Sequence, residues 1–369
     1  MPCFRLFYER LANEAEANMH HKIKKRILRA IEESVFPGCV VGYTGKSSGT
    51  GILAFGHQTY EDNSPSIHED SIFDVASITK TIPTSSLALL LIDRGKLGID
   101  DPLIRYVPEF SNHSRDKVLI RHLLTQTLNY NFRLSSLKDQ GADGILSAIF
   151  STEFLEEPGK SFFYSNATSI LLGLVVERVN GKNLADAARD EFFGPLEMDS
   201  TAFTIDPKNK GDVVPTEIDS WRGRLIQGEV HDESAWVLKT RMVAGSAGLF
   251  STAPDILKFL AMILKQGEFH GTRYFSQRII EQMQTNQIVH LGLHAGLGWE
   301  LCQQRYMGRF RTAGTMGKTG FTGCVCVCDP GKQTALVLLS NYTFPHRKPD
   351  MDAINSVRRD VADIILSNA

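Results

Sequence analysis

With 369 residues, 40 lysines and arginines against 42 acids, and a formal charge of −2, the chain is long enough for one large domain or two that share a cleft. The near-neutral balance excludes a nucleic-acid footprint or an acidic tail, and a hydrophobic content of 42% is that of an ordinary globular protein. No stretch is long and apolar enough to span a bilayer, and Met1 to Arg10 lacks the uninterrupted apolar core of a signal peptide; the expectation is a cytoplasmic protein, or a periplasmic one if the start is misplaced or trimmed.

Residues 12–35 read as an amphipathic helix that stops at Pro37-Gly38, after an N-terminal extension at 1–11. The basic stretch His20 to Arg26 is interleaved with apolar residues at helical spacing and reads as its wet face, not as a membrane or nucleic-acid patch. Two short β-prone runs, Cys39 to Thr44 and Gly51 to Phe55, flank the turn-forming residues 45–50. Gly45-Lys46-Ser47 is not a phosphate loop, because the motif's first glycine would fall at Val40.

An extended apolar stretch, Ile72 to Ala76, leads into Ser77-Ile78-Thr79-Lys80 and then a long apolar run, Leu87 to Ile92. That is strand or loop into helix, with Ser77 also placed to cap the helix and Pro83 to kink it. Helical patterns follow at Thr84 to Gly95, Lys117 to Thr127, Ser169 to Asn180 and Ala253 to Gln266. Strands return as Gly317 to Cys328 and Thr334 to Ser340 around the turn Asp329-Pro330-Gly331, and Met351 to Leu366 closes the chain as a helix. Both ends thus supply strands and the middle supplies helices. The expected fold is α+β, an antiparallel sheet flanked by helices and built from 12–76 plus 293–369, with 77–292 inserted as a mainly helical domain.

Ser77 and Lys80, at i and i+3, share one face of a helix. A serine hydroxyl is a poor nucleophile at its ordinary pKa, and a lysine whose amine is kept partly neutral by burial or a second cation can accept its proton. Two further serine-x-x-lysine matches, Ser114 to Lys117 and Ser135 to Lys138, lie in polar loop-like stretches and read as surface residues. Only the first ends an extended apolar stretch and opens a long apolar run; Tyr164-Ser165-Asn166 and Lys318-Thr319-Gly320 follow it along the chain.

On these motifs the chain resembles the serine β-lactamase and penicillin-binding-protein superfamily, in its class C-like branch of D-Ala-D-Ala carboxypeptidases, D-aminopeptidases and family VIII-type esterases. Further landmarks stand in family order, among them Phe73 to Ser77, Asp93 to Leu97, Arg121 to Thr125, Glu157 to Lys160, Ala244 to Thr252 and Gly296-Leu297-Gly298-Trp299. The resemblance implies a groove between sheet and helices, with Ser77 as nucleophile and an oxyanion hole made by the backbone N–H groups of Ser77 and Phe321. It implies that Lys80 or Tyr164 is the base, which of the two being open, and that Asn166 holds the Lys80 amine and the substrate amide. Thr319 and Gly320 complete the substrate strand with Lys318, a counter-charge for a substrate carboxylate that also lowers the Tyr164 pKa.

His231 and Asp232 resemble a cleft-lining segment that holds a water or a substrate amine, or else form a loop with its own hydrogen bonds. Two departures from the pattern, Gln126-Thr127-Leu128-Asn129 and Ser246, flank the groove and bear on pocket shape. No cofactor or metal is implied: His20-His21 and His290 with His294 lack zinc geometry, and Cys324, Cys326 and Cys328 alternate as small apolar positions of a strand. Unpaired thiols favour a reducing compartment.

The expected activity is a serine hydrolase acting through an acyl-enzyme on carboxylate-bearing amides, D-amino-acid peptides or β-lactams. An esterase of the same fold and a non-catalytic penicillin-binding or scaffold protein are the alternatives. The partner is a small-molecule or peptide substrate, and nothing in the pattern specifies an oligomeric state.

Overall fold

The computed structural model describes residues 2–46 and 49–369, with side chains from Glu14 onward. Its centre is a six-stranded antiparallel sheet in the order β2-β1-β8-β7-β6-β5. The strands are β1 (Gly38–Gly45), β2 (Gly49–Gly56), β5 (Glu300–Leu301), β6 (Met316–Thr319), β7 (Val325–Asp329) and β8 (Thr334–Ser340). A separate two-stranded ladder, β3 (Phe73–Asp74) with β4 (Phe250–Ser251), lies beside it. Both ends of the chain therefore meet in one sheet, β1 pairing β8 from Cys39↔Ser340 to Gly45↔Thr334.

Alternation along the strands sorts the core into two layers. Cys39, Val41, Tyr43, Val325, Val327, Leu336 and Leu338 face the terminal helices, where Met19, Ile23, Ile27, Ile354, Val357 and Val361 are buried. These belong to α1 (Pro2–Glu32) and α7 (Asp352–Leu366). Val40, Cys324, Cys326, Cys328, Val337 and Leu339 face the opposite layer. The three cysteines thus share one dry face, as their spacing requires, and burial pushes the Cys324 thiol up to about 11 and Cys326 to about 12. Such thiols pack as small hydrophobes.

Helix α1 differs from expectation at both ends. It starts at Pro2, within the expected extension, and stops at Glu32, where Ser34 turns left-handed (φ 53°) before Pro37 is reached. His21, Lys22, Lys24 and Lys25 are exposed on its wet face. Of the hairpin turn after β1, Ser47 and Ser48 lie outside the described residues.

The middle of the chain supplies α2 (Ser86–Asp93), α3 (Ile120–Thr125), α4 (Asn166–Asn180), α5 (Glu233–Leu238) and α6 (Ala253–Leu264). Helix α6 falls inside the expected insert but packs on the sheet against β1 and β8. A Cβ at Gly42 would meet Leu257 Cδ1 at 2.9 Å and Ala253 Cβ at 3.5 Å, so that strand position has to be small. The stretch Gly317 to Cys328 is two strands rather than one. The chain reverses between them at Gly320 to Cys324, where the Gly320 N–H donates to the Cys324 carbonyl at 2.7 Å.

Among the described residues, no helix is long and apolar enough to cross a membrane.

Candidate active site

The strand-to-turn junction at Ser77 is held from several sides. Val75 N–H donates to Leu249 O at 3.0 Å, and the buried Asp74 carboxylate accepts from the Ala76 and His231 N–H groups at 2.8 and 2.7 Å. Ala76 sits at φ 46°, a left-handed conformation that costs energy for a residue with a Cβ and persists only when its surroundings fix it. A single 3₁₀ turn, Ala76–Lys80, follows. Positions i and i+3 eclipse in that geometry, so Lys80 lies directly over Ser77, with Nζ 2.9 Å from Oγ.

Two expectations for this segment change. Ser77 does not cap a helix: Val75 precedes the turn, without a side-chain cap. Nor does a long helix begin here. Ile82, ahead of Pro83, is extended at φ −113° and ψ 108°, as a residue preceding proline prefers, and the regular helix resumes at Ser86. A five-residue turn has little dipole to offer an oxyanion, which leaves that task to individual N–H groups.

Lys80 is buried, and its second hydrogen bond runs to the Ser246 carbonyl at 2.8 Å. Burial pulls its pKa below that of an ordinary lysine; the neighbouring Lys318 adds to this, while Tyr164 and Asp232 oppose it. The Tyr164 ring lies between the two lysines, its centroid 5.0 Å from Lys80 Nζ and 4.3 Å from Lys318 Nζ. Burial works against ionising the phenol, but Lys318, Lys80 and a hydrogen bond with Ser77 outweigh it and hold its pKa below the ordinary value. Ser77, Lys80, Tyr164 and Lys318 thus converge from three distant parts of the chain.

Lys318 stands on β6, which is not the sheet edge. The two-residue β5 covers Met316 and Gly317 through the pairs Met316↔Leu301 and Gly317↔Glu300, and ends before Lys318. Gly320 ends the strand where only glycine fits: a Cβ there would lie 2.4 Å from the Val75 carbonyl oxygen. That close approach brings Phe321 beside Ser77, and both line a cavity of about 360 Å³ together with Phe162, Tyr164, Leu293 and Thr319. The buried Arg358 guanidinium fixes the reversal from below by donating to the Gly320 and Cys324 carbonyls at 2.7 and 2.9 Å.

Asn166 takes a partner other than the one expected, and His231 and Asp232 follow the second of their two readings, a segment with its own hydrogen bonds. Asn166 does not hold Lys80; its amide donates to Asp232 Oδ2 at 2.9 Å and Ser234 Oγ at 3.4 Å. Asp232 is the cap of α5, accepting from the Ala235 N–H at 2.8 Å. His231 is buried, with Nε2 2.6 Å from Glu217 Oε2, and its ring stacks on Phe321 at 5.8 Å between centroids. The pair is therefore a support for the cleft, its groups already engaged, rather than a holder of substrate. Arg347 approaches Phe321 as well, at 5.7 Å, and its Nε donates to Glu217 Oε2 at 2.8 Å.

Two participants were not singled out from the sequence. Glu300 Oε1 accepts from Lys318 Nζ at 2.6 Å and Glu300 Oε2 accepts from the Tyr306 hydroxyl at 2.8 Å. Burial would raise the Glu300 carboxyl, but Lys318 and Arg305 draw it down to about 2. Its signal was an acid directly after Gly296-Leu297-Gly298-Trp299, in an otherwise apolar run. Gln126, met only as a departure from pattern, is left-handed (φ 57°) and organises the Tyr164 loop. Its Oε1 accepts from the Ser165 N–H and its Nε2 donates to Ser169 Oγ, both at 3.0 Å.

His290 and His294 do not converge on a metal: His290 Nε2 lies 3.0 Å from the Gly159 carbonyl, and His294 Nδ1 3.3 Å from Asn286. Among the described residues, no group of three or more His, Cys, Asp or Glu side chains is arranged to hold one.

The chain is similar to known proteins over most of its length. A family model described as Beta-lactamase matches residues 23–358. A protein of Escherichia coli K12 named "Putative D-alanyl-D-alanine carboxypeptidase" is 27% identical over 319 residues, 76% of this chain and 72% of that protein. Among solved structures, "EstCE1, a hydrolase with promiscuous acyltransferase activity" superposes with a TM-score of 0.77 at 20% identity, covering 95% of this chain and 99% of that one. A "Beta-Lactamase/D-Alanine Carboxypeptidase" from Pseudomonas syringae superposes with a TM-score of 0.74 at 17% identity, over 95% and 99% of the two chains.

Proposed function

The chain belongs to the beta-lactamase family, and on that premise we propose that it is a serine hydrolase that forms an acyl-enzyme on Ser77 and acts on D-amino-acid peptides bearing a carboxylate. The observation that carries this reading is the convergence of Ser77 Oγ, Lys80 Nζ and the Tyr164 ring beside Lys318, within 2.9, 5.0 and 4.3 Å contacts. Ser77 Oγ attacks the scissile carbonyl as its proton passes to the phenolate of Tyr164, which the two lysines stabilise. The oxyanion is met by the Ser77 and Phe321 N–H groups. Collapse of the tetrahedral adduct expels the amine, which takes the proton from Tyr164. Water then attacks the acyl-enzyme and gives its proton to the same phenolate; collapse of this second adduct expels Ser77 Oγ, which takes that proton back from Tyr164 as the acid is released.

Lys318 is the partner for the substrate carboxylate in this reading, although it shares its charge with Glu300. That sharing, with an apolar wall of Phe162, Leu293 and Phe321, favours a second reading: an esterase that accepts neutral acyl donors. Release of D-alanine from an N-acyl-D-Ala-D-Ala peptide, measured beside hydrolysis of a short-chain aryl ester, separates the two. The first reading expects both products; ester turnover with no D-alanine supports the second, and neither product from folded protein defeats both. Cys39, Cys302, Cys324, Cys326 and Cys328 stand as free thiols, which supports a reducing, cytoplasmic location.

A further inference from the structure

A second cavity, of about 340 Å³, opens away from Ser77 beside Ala244–Gly248. This is within the ~300–1,000 Å³ typical of small-molecule sites. Phe203, Val230, Met242, Val243 and Phe250 line it with apolar surface, and Lys210, Lys239 and Glu229 stand at it as its charged groups. Gly248, at φ 108°, faces the floor: a Cβ there would contact Val230 and Phe203 at 3.4 and 3.9 Å.

The charges do not balance. Glu229 is already satisfied by both arms of Arg224, at 2.8 and 2.9 Å, and by Trp236 Nε1 at 2.8 Å. Lys210 and Lys239 each remain 3.8 Å from it, so one carboxylate faces three cations. Arg222, which also acts on Lys239, is paired with Asp219 at 2.6 Å. Mutual repulsion is felt at Lys239, whose pKa is lowered first by burial and then by Lys210, Arg222 and Arg224, against Glu229. A bound anion would relieve it.

We propose that this cavity binds an amphipathic monocarboxylate, its apolar chain on the Phe203, Val230, Val243 and Phe250 floor and its carboxylate between Lys210 and Lys239. The wall it uses is functionally placed, since Ala247 lines the cavity while the carbonyl of the adjacent Ser246 holds Lys80. This inference stands independently of the reaction at Ser77.

Isothermal titration with sodium decanoate, below its micelle-forming concentration, tests it on the full chain. Saturable binding is expected in the wild type. It should weaken about tenfold or more in Lys210→Ala/Lys239→Ala, whose side chains are 42% and 51% exposed and whose fold is checked by its melting curve, and about tenfold or more when decyltrimethylammonium replaces decanoate. Val243→Trp, confirmed as folded by its melting curve, should abolish binding by filling the floor. No saturable binding to the wild type, or equal binding to the double-lysine variant, overturns the proposal, the latter because the chain would then sit elsewhere, such as the catalytic cleft.

Discussion

Lys318 Nζ and Glu300 Oε1 form a 2.6 Å ion pair at the base of the catalytic cleft, with the Lys318 ammonium 4.3 Å from the Tyr164 ring centroid. The cation expected to await a substrate carboxylate is therefore shared with an internal one. Burial disfavours the Lys318 charge, but Glu300 and Tyr164 more than restore it and raise its pKa above that of a free lysine. Tyr164 thus feels two opposed influences, a cation that lowers its pKa and, one contact further, an anion that raises it.

Opposite pH shifts follow for the two partners. Removing the cation in Lys318→Met raises the Tyr164 pKa, so the acid limb of kcat/KM moves to higher pH. Removing the anion in Glu300→Gln lowers it, so the limb moves to lower pH. Profiles of kcat/KM on a neutral aryl ester measure both; shifts of the same sign would show that Tyr164 is not the group titrating.

Substrate charge preference should respond to the same pair. Glu300→Gln frees Lys318 for an external carboxylate, and the kcat/KM ratio of an anionic to a neutral acyl donor is expected to rise about tenfold, equivalent to ~1.4 kcal/mol. An unchanged ratio would mean that the carboxylate is recognised elsewhere.

Gly320→Ala places a methyl 2.4 Å from the Val75 carbonyl oxygen, and the backbone joining β6 to the Ser77 turn has to yield. We expect a loss of ~1–3 kcal/mol in stability and about a hundredfold in kcat, since a displacement near 1 Å misaligns the oxyanion donors. Thermal melting and steady-state kinetics on the same preparation separate the two effects.

Phe321 is gripped by the His231 ring and the Arg347 guanidinium, both bonded to Glu217. Burial would raise the Glu217 carboxyl, but these two partners hold it below the usual range. Glu217→Ala leaves Arg347 with Glu233, at 2.8 Å, as its remaining counter-charge and His231 without its partner, at a cost of ~1–3 kcal/mol. If the clamp positions the Phe321 N–H, kcat falls while KM for a small ester stays nearly constant, and affinity for a boronic acid transition-state mimic falls in step with kcat/KM. A change in melting temperature alone would make the clamp purely structural.

Much of this architecture was legible in the sequence because it rests on local chemistry. Period-two alternation placed Cys324, Cys326 and Cys328 on one face, and the three short motifs named Ser77, Lys80, Tyr164 and Lys318 before any geometry was known. What escaped were partnerships across the fold. Glu300 pairs with Lys318 only because β5 and β6 lie side by side, and Asn166 reaches Asp232 rather than Lys80 because α5 is capped beside it. Boundaries were lost where a single residue decided them: Ser34, left-handed, follows the early end of α1, and Gly323, at φ 117°, lies in the reversal that splits an apparently continuous strand in two.

The most direct test of the central claim is intact-protein mass spectrometry after incubation with benzylpenicillin or an activated aryl ester, run beside Ser77→Ala. The wild type should gain the mass of one acyl group, mapped by peptide digestion to Ser77. The variant should gain none, lose turnover and melt within about 1 kcal/mol of the wild type, since deleting one partly exposed hydroxyl removes little packing. An equal adduct on Ser77→Ala, or turnover retained by it, would contradict acyl transfer through Ser77.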